Sequence, residues 1–279
     1  MTLVATAPQR TRDASADVRA GLHPALTRFA LALAGLAVLL GLWWIGTDIL
    51  PPEGSFARKF SPGTAIPTLG SLLIGSDLPV HILVSLKRVL VGLLLALAIG
   101  VPVGLAVGSW SKLNEATSPA FQFLRMISPL SWMPLAVMVF GVGDPPIYFL
   151  LAFAAVWPIL LNTADAVRKL DPSWLRLSQS LAATRWETLR TIIVPGVLSH
   201  ILTGLRLAIG VIWIVLVPCE MLGVSAGLGY FILDTRDRLA YSELMAVVLL
   251  IGFLGFLLDM SARALYQLAA PGSRQPRVS

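Results

Sequence analysis

Long apolar runs separated by short polar ones make up most of the chain. Six runs approach the roughly 20 apolar residues that a membrane-spanning helix needs: residues 29–47, 89–110, 121–141, 145–164, 197–222 and 244–258. The last is short and needs its flanks, out to Tyr241 and Asp259, to cross. The pattern predicts an all-α integral membrane protein with about six transmembrane helices. One polar segment reads differently. In LAATRWETLRTIIVPG (residues 181–196), Ala182, Trp186, Leu189 and Ile193 fall at spacings of four, three and four, a single apolar stripe on a helix. Arg185, Glu187 and Arg190 lie off its centre, and Pro195 is expected to end or kink the helix. Such a helix can lie on the lipid surface, fold back on the bundle, or dock into a partner's groove. Periodicity leaves all three open.

Composition supports a membrane protein. Of 279 residues 56% are hydrophobic and 13% charged, where a soluble domain carries about 25% charged residues; mean hydropathy is +0.80. The net charge of +6 does not gather with aromatics on a polar face, so nucleic acid is not an expected partner. Instead Lys and Arg set topology, and their distribution favours both termini in the cytosol of a multi-pass protein, with membrane lipid around it. Residues 1–25 and 269–279 then form cytosolic tails around a transmembrane domain at 26–268, with a cytosolic loop at about 167–195. The N-terminal segment is too long and polar before its first apolar run for a signal peptide. Residues 51–80, rich in Pro, Gly and Ser, read as an external strap, and residues 223–241 as an external segment with a short helix. Lys87 and Arg88 fit that topology poorly and are expected on an interfacial turn before the second span, snorkelling outward.

Individual residues add little chemistry of an enzymatic kind. Cys219 stands alone and cannot form an internal disulfide. His23, His81 and His200 are scattered without metal-ligand spacing, and no nucleophile–base pair is evident. Gly100, Gly104 and Gly108 form a small-residue ridge for close helix approach, within the subunit or across a dimer, and Pro102 among them suggests a kink. Glu220, ionisable inside a span, is a candidate gate or helix-pairing residue. Arg206 offers either a positive site for an anion or a snorkelling contact. Arg125 and Asp165 are expected to pair. Met133, Trp157 and Asn162 are candidates for lining a translocation path, although Met and aromatic residues in a bundle more often pack. Asp234, Arg236, Asp237 and Arg238 form a mixed-charge external patch.

Four stretches, SLKRVLVGLLLALAIGVPVGLAVG (85–108), SPLSWMPLAVMVFGVGD (128–144), LTGLRLAIG (202–210) and CEMLGVSAGLGYFI (219–232), resemble in order the permease subunits of nitrate/sulfonate/taurine/bicarbonate-type ABC importers. The loop also resembles that family's cytoplasmic Glu-Ala-Ala signature. Ala182 stands where the signature has Gly, followed at the right distance by Ile192, Ile193, Val194 and Pro195, while Arg176, Leu177 and Ser178 replace the triplet. The resemblance implies a type I ABC importer permease fold in the inner membrane and a homodimer with a second permease copy. It further implies two cytosolic ATPase subunits and an extracytoplasmic substrate-binding protein. Ser180, Leu181, Ala182, Ala183, Thr184, Trp186, Leu189 and Pro195 would then belong to the ATPase-coupling helix. The chain would need no cofactor of its own, because ATP and Mg would be bound by the ATPase, and its sequence contains no G-x-x-x-x-G-K-[ST] phosphate loop. The function implied is ATP-driven import of a small anion, without catalysis by this chain. FILDTRDRLAYSELM (231–245) resembles the nitrate/bicarbonate branch, with sulfonates and taurine left open. The alternative is a carrier driven by an ion gradient, which would be expected to show two repeated halves with discontinuous helices; no repeat is visible.

Overall fold

The computed structural model describes residues 27, 30, 31 and 33–269, and no β-strand occurs among them. The chain divides into two units at Ala65/Ile66. In the first, helix α1 (Leu33–Ile49) finishes in a wide π turn at Ile45–Ile49. The chain then folds back through a 3-10 turn at Phe56–Phe60. The Trp43 indole donates to the Phe60 carbonyl at 3.0 Å and the Ser61 hydroxyl to Asp48 at 2.7 Å. Helix α2 (Pro62–Gly75) follows, so the expected strap over 51–80 is helical for much of its length. Pro62 starts that helix, where a missing N–H is harmless.

The second unit is a bundle of α3 (Leu78–Ser109), α6 (Asp144–Arg168), α9 (Val194–Glu220) and α11 (Tyr241–Ala269). Short helices α4 (Ser111–Met126), α5 (Met133–Phe140), α7 (Pro172–Ser180), α8 (Arg185–Thr188) and α10 (Leu228–Asp237) connect them. Helix α6 lies between α3 and α9 and carries the core: Ile147, Leu151, Ala155 and Ile159 meet Val89 and Ala96 on one side and Ala208, Ile212 and Leu216 on the other. A second apolar cluster joins Leu72, Leu78, Leu228, Phe231, Val247 and Leu250. The glycine ridge faces α6. A Cβ built on Gly104 would lie 2.7 Å from the Leu160 carbonyl oxygen, and one on Gly108 2.7 Å from the Val167 Cβ. On Gly100 the nearest atom would be Ile159 Cγ2 at 3.0 Å. Of the two expected uses of that ridge, the structure displays packing within the subunit.

Several expected boundaries shift. Four helices, Leu78–Ser109, Asp144–Arg168, Arg185–Glu220 and Tyr241–Leu268, are long and apolar enough to cross a membrane. The second span thus begins 11 residues before Val89, and Arg88 lies inside a helix rather than on an interfacial turn. The third candidate, 121–141, is broken: Ser111–Met126 and Pro129–Phe140 meet at 87°. Pro129 disfavours helical backbone at the preceding residue, and Ser128 is extended, with ψ 128°. Leu33–Ile49 is shorter than a full span among the described residues. The tail at 1–25, Phe29 and the tail beyond Ala269 lie outside the described residues.

Candidate functional site

The loop between α6 and α9 is built by local hydrogen bonds. Asp171 caps α7, its carboxylate accepting from the Ser173 N–H at 2.8 Å. That bond favours the charged form and holds the carboxyl below its usual range. After Ser180 the chain reverses at Ala182, whose φ of 50° is left-handed. The Ala183 N–H donates to the Ser178 carbonyl at 3.1 Å and the Ala182 N–H to that of Gln179 at 3.0 Å. This is the paired closure of a helix C-terminus that normally uses glycine. Thr184 then opens α8 with a reciprocal cap: its N–H reaches the Glu187 carboxylate at 2.7 Å while the Glu187 N–H reaches Thr184 Oγ1 at 3.3 Å. The buried Ser178 hydroxyl meets Thr188 Oγ1 at 2.5 Å and ties α7 to α8.

The stripe expected over Ala182, Trp186, Leu189 and Ile193 is therefore cut. Ala182 belongs to the turn, and the helix begins only at Arg185. The T-x-x-E signature of a capping box, TRWE at 184–187, marks that start in the sequence. Pro195 does not stop the helix either, since Arg185–Glu220 runs as one 36-residue helix. The Val194 N–H bonds to the Leu189 carbonyl across a π turn at Leu189–Ile193. This wider turn just ahead of Pro195 relieves the clash that a proline ring makes with the preceding turn of an α-helix. Ile193 packs towards Val197 and Ile201. By contrast Trp174, Leu177, Leu181 and Trp186 are 59%, 57%, 73% and 67% exposed, and Ser180, Ala182 and Thr184 are exposed beside them. Left-handed backbone costs a non-glycine residue about 1–2 kcal/mol, offset in part by glycine's freer unfolded chain. Ala182→Gly is accordingly expected to slow amide exchange at Ala183 up to about fivefold, the equivalent of about 1 kcal/mol. Unchanged or faster exchange would mean the turn is not strained.

At the opposite end of α9 lies a buried polar network. Arg88 (α3) is 3% exposed and Glu220 (α9) fully buried. Arg88 donates to Glu220 at 2.8 Å, to Asp144 through Nε at 2.9 Å and Nη2 at 2.6 Å, and to the Ala226 carbonyl at 2.6 Å. Three side chains satisfy the first amides of α10, which have no partner within their own helix. The N–H of Gly227 donates to His81 Nδ1 at 3.0 Å, that of Leu228 to Ser85 Oγ at 2.8 Å, and that of Gly229 to Glu220 at 2.9 Å. A carboxylate at a helix N-terminus is also favoured by the helix dipole. Gly227, at φ 123°, is the residue this close approach demands: a Cβ there would sit 2.5 Å from Glu220 Cδ and 2.6 Å from Arg88 Nη1. The outward snorkelling expected for Arg88 is thereby corrected: its charge is pulled inward by two carboxylates. Lys87, next to it, remains exposed.

The remaining candidates are dispersed. Trp157 and Asn162 line one cavity of about 730 Å³ with Arg125, Asp165 and residues of α9. Met133 is buried in the main core. Arg206 pairs with Asp259 at 3.0 Å, and Glu220 is far along α9 in the network just described. The expected Arg125–Asp165 pair does not form, because Asp165 is taken by Arg168, which also donates to Asn114. Of the mixed-charge patch, Arg238 bridges Asp234 at 2.8 Å and Glu243 at 3.2 Å.

Comparison with known proteins agrees with this architecture. Residues 90–275 match the family model of the binding-protein-dependent transport system inner membrane component. The bicarbonate transport system permease protein CmpB of Synechococcus elongatus is 36% identical over 237 residues, covering 82% of this chain and 85% of that protein. The nitrate import permease protein NrtB of the same species is 30% identical, covering 90% and 94%. The taurine transport system permease protein TauC of Escherichia coli is 31% identical, covering 89% and 91%. Among solved structures, an inward-facing MetNI methionine ABC transporter chain superposes with a TM-score of 0.56 at 14% identity, covering 74% and 96%, which speaks for the fold alone.

Proposed function

The chain belongs to the binding-protein-dependent transport system inner membrane components, the permease subunits of ABC importers, and we propose that it carries a small anion of the bicarbonate, nitrate or taurine class. Two copies form the path, two ATPase subunits seat on the loop around Trp186 and hold ATP and Mg, and a binding protein delivers substrate on the opposite side. This membership displaces the gradient-driven carrier as a reading. The observation that carries the assignment of the ATPase seat is the loop itself. Local hydrogen bonds and a capping box shape it, yet it leaves Trp174, Leu177, Leu181 and Trp186 exposed. Tryptophans are typical anchors of a protein interface, and a cluster of exposed apolar side chains marks an interaction surface.

The loop is well placed to transmit motion. It joins α6 directly to the 36-residue helix Arg185–Glu220, which at 1.5 Å per residue extends about 54 Å. ATPase closure would push one end of that lever, and the other end holds Glu220 in the network with Arg88 and α10. A displaced loop would therefore be felt at the far face through one continuous helix, by way of the π turn at Leu189–Ile193. The purified importer, reconstituted with its ATPase and binding protein, is expected to take up labelled bicarbonate, nitrate or taurine only when supplied with ATP on the loop side. Uptake by the permease alone, driven by an ion gradient, would overturn the proposal.

A further inference from the structure

Arg125 stands at the end of α4, just before the 87° break. Its expected partner, Asp165, is held by Arg168, and Arg125 makes no hydrogen bond or ion pair among the described residues. It lines the cavity of about 730 Å³ between the broken span, α6 and α9, together with Trp157, Asn162, Asp165, Leu207 and Val211. Asn162 spends one amide hydrogen on the Pro158 carbonyl at 2.7 Å, which leaves a second hydrogen and its oxygen available. The wall is otherwise largely apolar. Arg125 is itself exposed, so its charge keeps contact with solvent, and the apolar wall behind it strengthens its attraction for an anion that enters the cavity.

From this unpaired guanidinium, resting on the importer reading above, we infer that Arg125 is a binding contact for the transported oxyanion, with the Asn162 amide in the wall of the same cavity as a second donor. Carboxylate, sulfonate and nitrate groups all present the planar or trigonal oxygens that a guanidinium fork matches. The Asp165 carboxylate in the same wall does not oppose this strongly, because Arg168 neutralises it. A lipid headgroup phosphate would satisfy the same chemistry, so the test must separate the two sources.

The complete importer in proteoliposomes supplies that test, with labelled bicarbonate, nitrate and taurine as probes. Arg125→Gln is expected to lower uptake of the transported probe about tenfold or more, the usual effect of losing a charge-assisted hydrogen bond. ATPase activity stimulated by the binding protein should stay within about twofold, since the loop is untouched. Arg125→Lys should retain more uptake than the Gln variant. Native uptake in the Gln variant, or a parallel fall in uptake and ATPase activity, would overturn the inference. Cys219 is buried and the sole cysteine, so Arg125→Cys offers a selective thiol. A cationic methanethiosulfonate should restore uptake where an anionic one does not, and excess probe anion should slow the labelling. Labelling indifferent to the anion would mark Arg125 as a headgroup contact and sink the proposal. If the native complex imports none of the probes or recovers no ATPase, it is the importer reading that fails.

Discussion

Replacing Trp186 with Glu is expected to strip the ATPase subunits from the complex. Trp186 projects from the first turn of α8 and is 67% exposed, while the bonds that shape the loop pass through Thr184, Glu187, Ser178 and Thr188. The substitution therefore removes an apolar anchor and adds a charge without touching the scaffold. Loss of a tryptophan anchor typically weakens an interface by about 2 kcal/mol or more, roughly thirtyfold, and a carboxylate buried against the partner adds a desolvation penalty. Affinity purification of the permease in detergent should recover the ATPase with the native chain and lose it with Trp186→Glu. Leu181→Glu, on the neighbouring turn, should act in the same direction. Recovery of the ATPase at native stoichiometry with both variants would remove the loop from the coupling interface.

The second large effect is expected in the ion network. Removing one partner of a buried pair leaves an uncompensated charge, at a cost of about 3–5 kcal/mol. Glu220→Ala strips Arg88 of one carboxylate and also leaves the Gly229 amide without its acceptor. Among the described residues, Arg88→Ala leaves Glu220 fully buried with Ser85 and Gly229 as its only donors, and Asp144 without its guanidinium. Both should lower the thermal unfolding midpoint of the solubilised protein steeply. Arg88→Ala combined with Glu220→Ala should lose less than the sum of the two single changes, because residues sharing one network are not additive. Glu220→Gln should sit in between, since an amide can still bond to Ser85 and Gly229. Additive losses in the cycle would mean that the two charges do not stabilise one another.

How far the sequence reached can be judged from particular residues. Hydrophobic run lengths located α6 closely, because a buried helix without internal polar breaks advertises its own extent. They place the start of α3 too late, since the charges of Lys87 and Arg88 interrupt the apolar run inside the helix. Charge alone does not reveal whether an arginine snorkels or is met by carboxylates from residues 56 and 132 positions away. The left-handed turn at Ala182 was foreseeable from its alignment with a glycine in the family signature. The helix start at Arg185 is written in TRWE, but the apolar stripe through Ala182 extends across it and masks the capping signal.

By itself, then, the sequence determined an all-α membrane protein, the order of its apolar helices, and the permease family, for these follow from local composition, periodicity and ordered motifs. Only the tertiary structure decided which ionisable groups meet. Arg88 joins Glu220 and Asp144, His81, Ser85 and Glu220 cap α10, and Arg168 takes Asp165 and leaves Arg125 to the cavity. Pairing of this kind depends on helix rotation and on close approaches permitted by residues such as Gly104 and Gly227. Those are properties of how helices pack against one another, which no single helix encodes.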